Sequence, residues 1–464
     1  MLTDFLVSKI RMELPFEPTD QQALLIAELA RFLARPEEEK VFLLKGYAGT
    51  GKTTVMGALV RALHRLQQKT ILLAPTGRAA KVFSSYSGVQ ATTIHKKIYR
   101  QKSVSDRVFQ VSDNLHTNTL FIVDEASMIT NIGMDSDFGT GRLLDDLIHY
   151  VYSGTGCAML LMGDTAQLPP VMQESSPALE KLVLEEYGLK VTDFILTRVV
   201  RQAMESGILY NATLLRQALT DELTSQLPRL KLSPFTDIVS LSGMDLVDEV
   251  QRSYDGVGAT DTIIITRSNK RAVYFNNGIR GRVMQKEDEI SNGDLLMITR
   301  NNYFWNRPYK EINFIANGDI VEITRIRKHR EMYGLRFVDL SLRSLDSGWE
   351  LDALVLLDTL QAETPAQSKE LNDQLFSRVE EDYLEIGSRR ERYRKMQNND
   401  FLNALQVKFA YSVTCHKAQG GQWKKVFIDM SLMPDMTIDR NYYRWLYTAL
   451  TRATETVYLV NYRT

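Results

Sequence analysis

The segment Gly46-Tyr47-Ala48-Gly49-Thr50-Gly51-Lys52-Thr53 has the spacing G-x-x-x-x-G-K-[ST]. Gly46, Gly49 and Gly51 allow the backbone to turn its N–H groups inward around phosphate oxygens, and the helix start that follows adds partial positive charge. Lys52 is placed to reach β- and γ-phosphates and Thr53 to bind Mg²⁺, with Thr54 beside it a further nucleotide-binding candidate. Seventy-two positions after Lys52, Asp124-Glu125 ends an apolar run. Asp124 suits the Mg²⁺ shell and Glu125 suits a general base for an attacking water. A third polar segment, Gly163 to Pro170, contains Gln167, whose amide can hold both a γ-phosphate and that water. Phosphoryl transfer also needs cations for its transition state, and Arg201 and Arg452 are the candidates.

These residues need a frame. Thr19 and Asp20 are cap candidates for an amphipathic helix over 19–36, and a second helix is expected over 53–66. Four short apolar runs at 41–44, 71–74, 120–123 and 158–162 each end in polar or glycine-rich residues. Near-continuous apolar strands alternating with helices point to a parallel sheet covered on both faces. Chemistry in such sheets lies beyond the carboxyl ends of the strands. A second set of runs at 263–265, 409–413, 426–428 and 457–460 points to a second α/β domain. Between them, β-like runs separated by Gly, Asn and Asp turns over 282–360 indicate an all-β insertion. Residues 366–400 are highly charged and read either as a helical hairpin or as a solvated arm.

The chain has 464 residues, 44% hydrophobic and 24% charged, which is ordinary globular usage and excludes disordered or low-complexity classes. Its two cysteines, Cys157 and Cys415, exclude a disulfide or zinc-ribbon scaffold and fit a reducing compartment. No apolar run nears the ~20 residues of a membrane span. The N-terminal stretch lacks a cleavage site of signal-peptide type, so a cytoplasmic location is expected. The net charge of −1 excludes a uniformly basic nucleic-acid binder but allows a local basic channel.

In order, Gly46–Thr53, Ala74-Pro75-Thr76-Gly77-Arg78-Ala79-Ala80, Thr92-Thr93-Ile94-His95, Val123–Met128, Gly163–Pro170, Val200-Arg201-Gln202, His416-Lys417-Ala418-Gln419-Gly420 and Tyr447–Arg452 form a set that resembles superfamily 1 DNA helicases. The resemblance is to the 1B branch of RecD-like, Dda-like and Pif1-like enzymes. It implies two RecA-like domains, one over 1–195 and the other over 196–281 with 406–464. ATP lies between them with Mg²⁺, and Arg201 and Arg452 reach across the cleft. It also implies adenine contact by Gln22, with Gln21 an equally polar neighbour, and places Gly420 among the nucleotide contacts. Pro75, Thr76 and His95 on the first domain, and Thr266, Thr414, His416 and Lys417 on the second, would hold DNA phosphates without reading bases. A small β-hairpin at 96–117 would be the pin that splits the duplex. Phe109 is its candidate stacking residue, although Phe109 or Tyr99 could equally pack on the domain. The insertion 282–405 would hold an SH3-like part (282–360) and a helical arm (366–400). The resemblance thus implies a monomeric, ATP-dependent DNA helicase moving 5′→3′ on single strands at forks, beside replication or repair proteins. The alternative is a protein-displacing translocase with weak unwinding.

Overall fold

The computed structural model describes residues 2–35, 39–100, 109–133, 138–200, 205–309, 312, 315–364, 367–432 and 436–462. The first domain is built on a six-stranded parallel sheet. Its spatial order is Ala91–Thr93, Thr70–Ala74, Leu120–Val123, Ala158–Gly163, Lys40–Gly46 and Lys190–Leu196. In the strand Lys40–Gly46, Phe42 and Leu44 enter one core while Val41 and Leu43 enter the other. That two-residue alternation explains why the run is apolar throughout: both faces are covered. Each such side chain contributes on the order of 2 kcal/mol by leaving water.

Two helices pack on one face of this sheet. Asp20–Ala34 starts at Thr19, whose hydroxyl accepts from Gln22 N–H while Gln22 Oε1 accepts from Thr19 N–H at 3.0 Å, a reciprocal cap. Lys52–Arg65 starts at Gly51, whose φ of 82° lies in the left-handed region open to glycine.

The second domain has a five-stranded parallel sheet in the order Ser412–Thr414, Thr262–Thr266, Trp423–Asp429, Ala453–Val460 and Ile238–Leu241. An antiparallel meander (Leu295–Ile298, Ile320–Met332, Leu335–Ser344, Glu350–Leu356) closes with Leu405–Phe409 into a barrel. The expected boundary between 405 and 406 therefore runs through the closing strand. The apolar run expected over 409–413 is split by a bend, and only Ser412–Thr414 joins the sheet. A stretch with apolar residues on both sides of the bend carries no sign of where one sheet hands over to the other.

The charged segment forms two helices, Lys369–Glu381 and Arg389–Met396. They are not a solvated arm: Leu375, Val379 and Met396 pack on Phe337, Leu354 and Leu356 of the barrel. At the neck between barrel and second domain, the fully buried Asp294 accepts from Arg280, Lys286, Ser291 N–H and the Tyr411 hydroxyl. Four donors around one carboxylate satisfy a charge that burial alone would make costly.

Candidate functional site

The glycine loop, the acidic strand end and the Gln167 segment converge because each follows a neighbouring strand of the first sheet. They line a cavity of about 400 Å³ that also receives Ser206, Leu209, Asp237, Gln422, Thr451 and Arg452 from the second domain. Gly49, Gly51, Lys52, Thr53, Thr54, Asp124, Glu125, Gln167 and Arg452 all meet there. A Cβ on Gly46 would come within 2.7 Å of Lys52 Cδ, so the loop leaves room only for glycine under the lysine stem. Lys52 Nζ donates to the Gly46 carbonyl and, at 3.2 Å, to that of Tyr47.

Asp124 Oδ2 accepts from the Tyr86 hydroxyl at 2.7 Å, and Oδ1 accepts from Glu125 N–H at 2.7 Å. Burial, and then the neighbouring Glu125, push the Asp124 carboxyl above its ordinary range. Burial and the Asp124 charge drive the Tyr86 phenol well upward, which keeps it a donor. Tyr86 was not among the expected site residues; it lies late in the helix Gly77–Ser87, where no motif marks it. Glu125 has φ of 52° in the left-handed region, a strained state for a residue with a side chain. That twist aims its carboxylate at the cleft, where Oε1 lies 3.6 Å from Arg452 Nη1 of the other domain. Gln167 is buried, and its Oε1 has no partner among the described residues.

These features fit a nucleotide with Mg²⁺. Unfilled acceptor capacity at Gln167, a glycine cradle under a lysine, and a hydroxyl and carboxylate at Thr53 and Asp124 form the donor set such a ligand requires. The seam between domains is held by further bonds. The Tyr447 hydroxyl donates to Asp164 Oδ2 at 2.6 Å and accepts from Ala48 N–H at 2.9 Å. Thr448 Oγ1 accepts from Leu168 N–H, and Gln419 Nε2 donates to the Leu168 carbonyl.

Several expected residues sit elsewhere. Gln22 is buried and braces the loop: Nε2 donates to the Thr50 carbonyl while Oε1 serves the Thr19 cap, so it does not line the cleft. Gln21 is likewise engaged, with Thr197 and Arg198. Gly420 does not line the cavity either; a Cβ there would lie 2.8 Å from Ala79 Cβ, so its glycine serves the close approach of the domains. Arg201 lies outside the described residues.

On the proposed DNA face, Pro75, Thr76, Thr414 and Lys417 are part-exposed and His416 is exposed. Thr76 caps the helix Gly77–Ser87 by accepting from Ala79 N–H, which leaves its proton to donate. Lys417 Nζ donates to Asn317 Oδ1 of the barrel, and burial followed by Lys408 presses the amine down to about 8. His95 packs against Tyr99 and Phe138, and burial presses its imidazole down to about 4. Thr266 is fully buried, its hydroxyl donating to the Ser268 and Val413 carbonyls, so it offers nothing to DNA here.

The hairpin retains two-residue strands, Tyr99–Arg100 and Gln110–Val111, while 101–108 lie outside the described residues. Phe109 is not an exposed stacking ring. It is buried at the hairpin root, 4.1 Å from the Tyr303 ring of the barrel, because that loop offers it an aromatic partner.

A two-domain parallel-sheet ATPase with its nucleotide cleft at the domain seam is the class this fold and site define. The AAA domain family matches residues 19–227 and the UvrD-like helicase C-terminal domain matches 409–460. The chain is 24% identical to an uncharacterised protein of Acanthamoeba polyphaga mimivirus, over 94% of this chain and 98% of that one. It is 28% identical to the ATP-dependent RecD2 DNA helicase of Deinococcus radiodurans, over 61% of this chain. The chain thus spans only 36% of that relative, and 17% of the Escherichia coli conjugation protein TraI, to which it is 23% identical. The chain thus carries an AAA domain match in its first half and a UvrD-like helicase C-terminal domain match near its end. Among solved structures, the Pif1 helicase from Bacteroides in complex with ADP-AlF3 and ssDNA has a TM-score of 0.47 at 16% identity, covering 96% of this chain and 93% of that one.

Proposed function

We propose that this protein is an ATP-dependent DNA helicase that moves 5′→3′ along single strands and opens duplex at forks. The observation that carries the reading is the contact of Arg452 with Glu125 across the cleft, which makes the hydrolytic site depend on domain closure. Thr53 and Asp124 would hold Mg²⁺, which supplies charge compensation to the β- and γ-phosphates when bound. Lys52 leaves the Gly46 and Tyr47 carbonyls to meet the same phosphates. Gln167 orients the attacking water, and Glu125 takes its proton. Arg452 offsets the charge that develops on the γ-phosphate, a role the helicase resemblance also gives to Arg201. Closing on ATP and reopening after hydrolysis shift the DNA-holding loops around Thr76 and Lys417 relative to each other. The 5′→3′ direction rests on the resemblance to 1B helicases alone.

The burial of Phe109 favours a second reading, a translocase that displaces proteins and unwinds poorly. Work in replication or repair, as a cytoplasmic monomer, belongs to the proposal as well. Among the described residues no helix is long and apolar enough to cross a membrane.

Strand displacement with ATP and Mg²⁺ on duplexes with a 5′ tail or a 3′ tail tests both readings. Opening of the 5′-tailed duplex alone is expected. ATPase stimulated by single strands without opening of either would select the translocase. Lys52→Ala is expected to abolish turnover, and unchanged turnover would refute the mechanism.

A further inference from the structure

Behind the nucleotide cleft lies a second cavity of about 380 Å³. Tyr47 and Gln167 line both, so the two spaces share a wall made of the phosphate loop and the water-orienting segment. Three arginines of the second domain face this rear cavity: Arg216, Arg440 and Arg444. Arg216 lies over the Tyr47 ring at 4.4 Å and donates to the Thr197 carbonyl. Arg444 is buried and donates to the Glu174 carbonyl at 2.5 Å. Arg440 and Arg444 stand one helical turn apart on Arg440–Leu450, so two like charges share one face. Glu180 and Glu222 also line the space, yet among the described residues none of the three arginines has a carboxylate within ion-pair distance, although the Glu174 charge acts on Arg444. Gln167 Oε1, buried and without a partner among the described residues, belongs to the dividing wall.

Arg216 and Arg444 are held by backbone carbonyls, and arginines that have no carboxylate within ion-pair distance form a receptor for an oxyanion. We propose that this rear cavity is the exit site for inorganic phosphate, which Arg440 and Arg444 draw from the γ-position past Gln167 while ADP is still held in front. The inference rests on the ATPase reading above and adds a site that reading does not need. The same chemistry could bind a phosphate of the DNA backbone, and the test separates the two sources.

The experiment uses the full chain with single-stranded DNA in single turnover. ATP cleavage is followed by acid quench, and phosphate release by a fluorescent phosphate sensor. Arg440→Gln is the main variant because that side chain is exposed; Arg444→Gln is the second. Each is expected to slow release severalfold while cleavage keeps its rate, and to weaken inhibition by added inorganic phosphate about tenfold, the loss of one charged hydrogen bond. Release that still tracks cleavage, with unchanged phosphate inhibition and unchanged melting temperature in both variants, overturns the proposal. Weaker binding of single-stranded DNA with unchanged release also overturns it, and assigns the arginines to DNA. If the wild-type chain cleaves no ATP, the ATPase reading has failed on its own. Calorimetric titration with inorganic phosphate then still decides whether the rear cavity binds it and whether the variants lose that binding.

Discussion

Replacing Tyr447 by Phe removes one oxygen atom from the seam between the RecA-like domains. Both partners of that oxygen, Asp164 Oδ2 and Ala48 N–H, belong to the first domain, whereas Tyr447 belongs to the second. Asp164 is 2% exposed and Tyr447 1% in the closed arrangement, so water cannot replace the lost hydroxyl there. The other carboxylate oxygen keeps its bond from Ala166 N–H. A hydrogen bond to a charged group is worth about 1.5–3 kcal/mol, and a buried N–H left without an acceptor costs about 1–3 kcal/mol. In the open arrangement both groups are hydrated, so the penalty falls on the closed state alone. Allowing for partial relaxation, about 2–4 kcal/mol shifts the open–closed balance by roughly 30-fold to several hundredfold. Because Arg452 meets Glu125 only when the domains are together, Tyr447→Phe should weaken apparent ATP affinity and DNA-stimulated turnover by that order. ATP titrations of the stimulated ATPase, run beside thermal melts, measure both quantities. ATP affinity and turnover within about threefold of wild type, against the tenfold that each 1.4 kcal/mol represents, would refute the reasoning. So would a loss of melting temperature large enough to account for the defect.

Glu125→Gln should keep nucleotide binding while hydrolysis falls about 10²–10⁴-fold, the usual worth of a general base; loss of binding in a nucleotide titration would make Glu125 structural instead. Lys417→Ala should weaken single-strand binding equally on all sequences and flatten its salt dependence by about 0.7 in log–log slope, the share of one phosphate contact. An unchanged slope would remove Lys417 from the DNA face. His95 bears on stability: its imidazole titrates near 4 when folded against an ordinary 6.5, so the unfolded chain takes the proton first. Its contribution is complete above pH 6.5 and is lost as pH falls toward 4, at up to about 1.4 kcal/mol per pH unit. Denaturant midpoints of wild type should therefore rise across that window more steeply than those of His95→Gln.

Much of the cleft was legible because phosphate chemistry demands particular atoms at fixed spacing. Gly46 to Thr53, Asp124-Glu125 and Gln167 advertise themselves, and the fully apolar strands before them carry their own signal. The strand Lys190–Leu196 was not legible: it is the sheet edge, largely open to water, and its polar residues hide the pattern. Ala91–Thr93 is too short to show periodicity. Residue type misled where one side chain can serve two ends. Gln22 has an amide suited to a base but spends it on a cap and a loop carbonyl. Thr266 has a hydroxyl suited to phosphate but turns it inward. Phe109 has a ring suited to stacking but finds Tyr303 first, a partner 194 positions away that no local window contains. Tyr86 was missed for the converse reason: its role depends on the depth of Asp124, which only the packed fold sets.

The Asp294 knot has a mechanical meaning. The chain leaves the second domain before the barrel and re-enters it after Phe409, and both crossings meet at that one buried carboxylate through Arg280 and Tyr411. Two flexible crossings would let the barrel swivel; two crossings tied at a single desolvated charge do not, since freeing either leaves that charge uncompensated. The barrel is therefore an outrigger on the second domain, turning through whatever angle the cleft turns through. A small rotation at the nucleotide becomes a linear excursion at the barrel's far rim, growing with distance from the hinge, without any moving part in between.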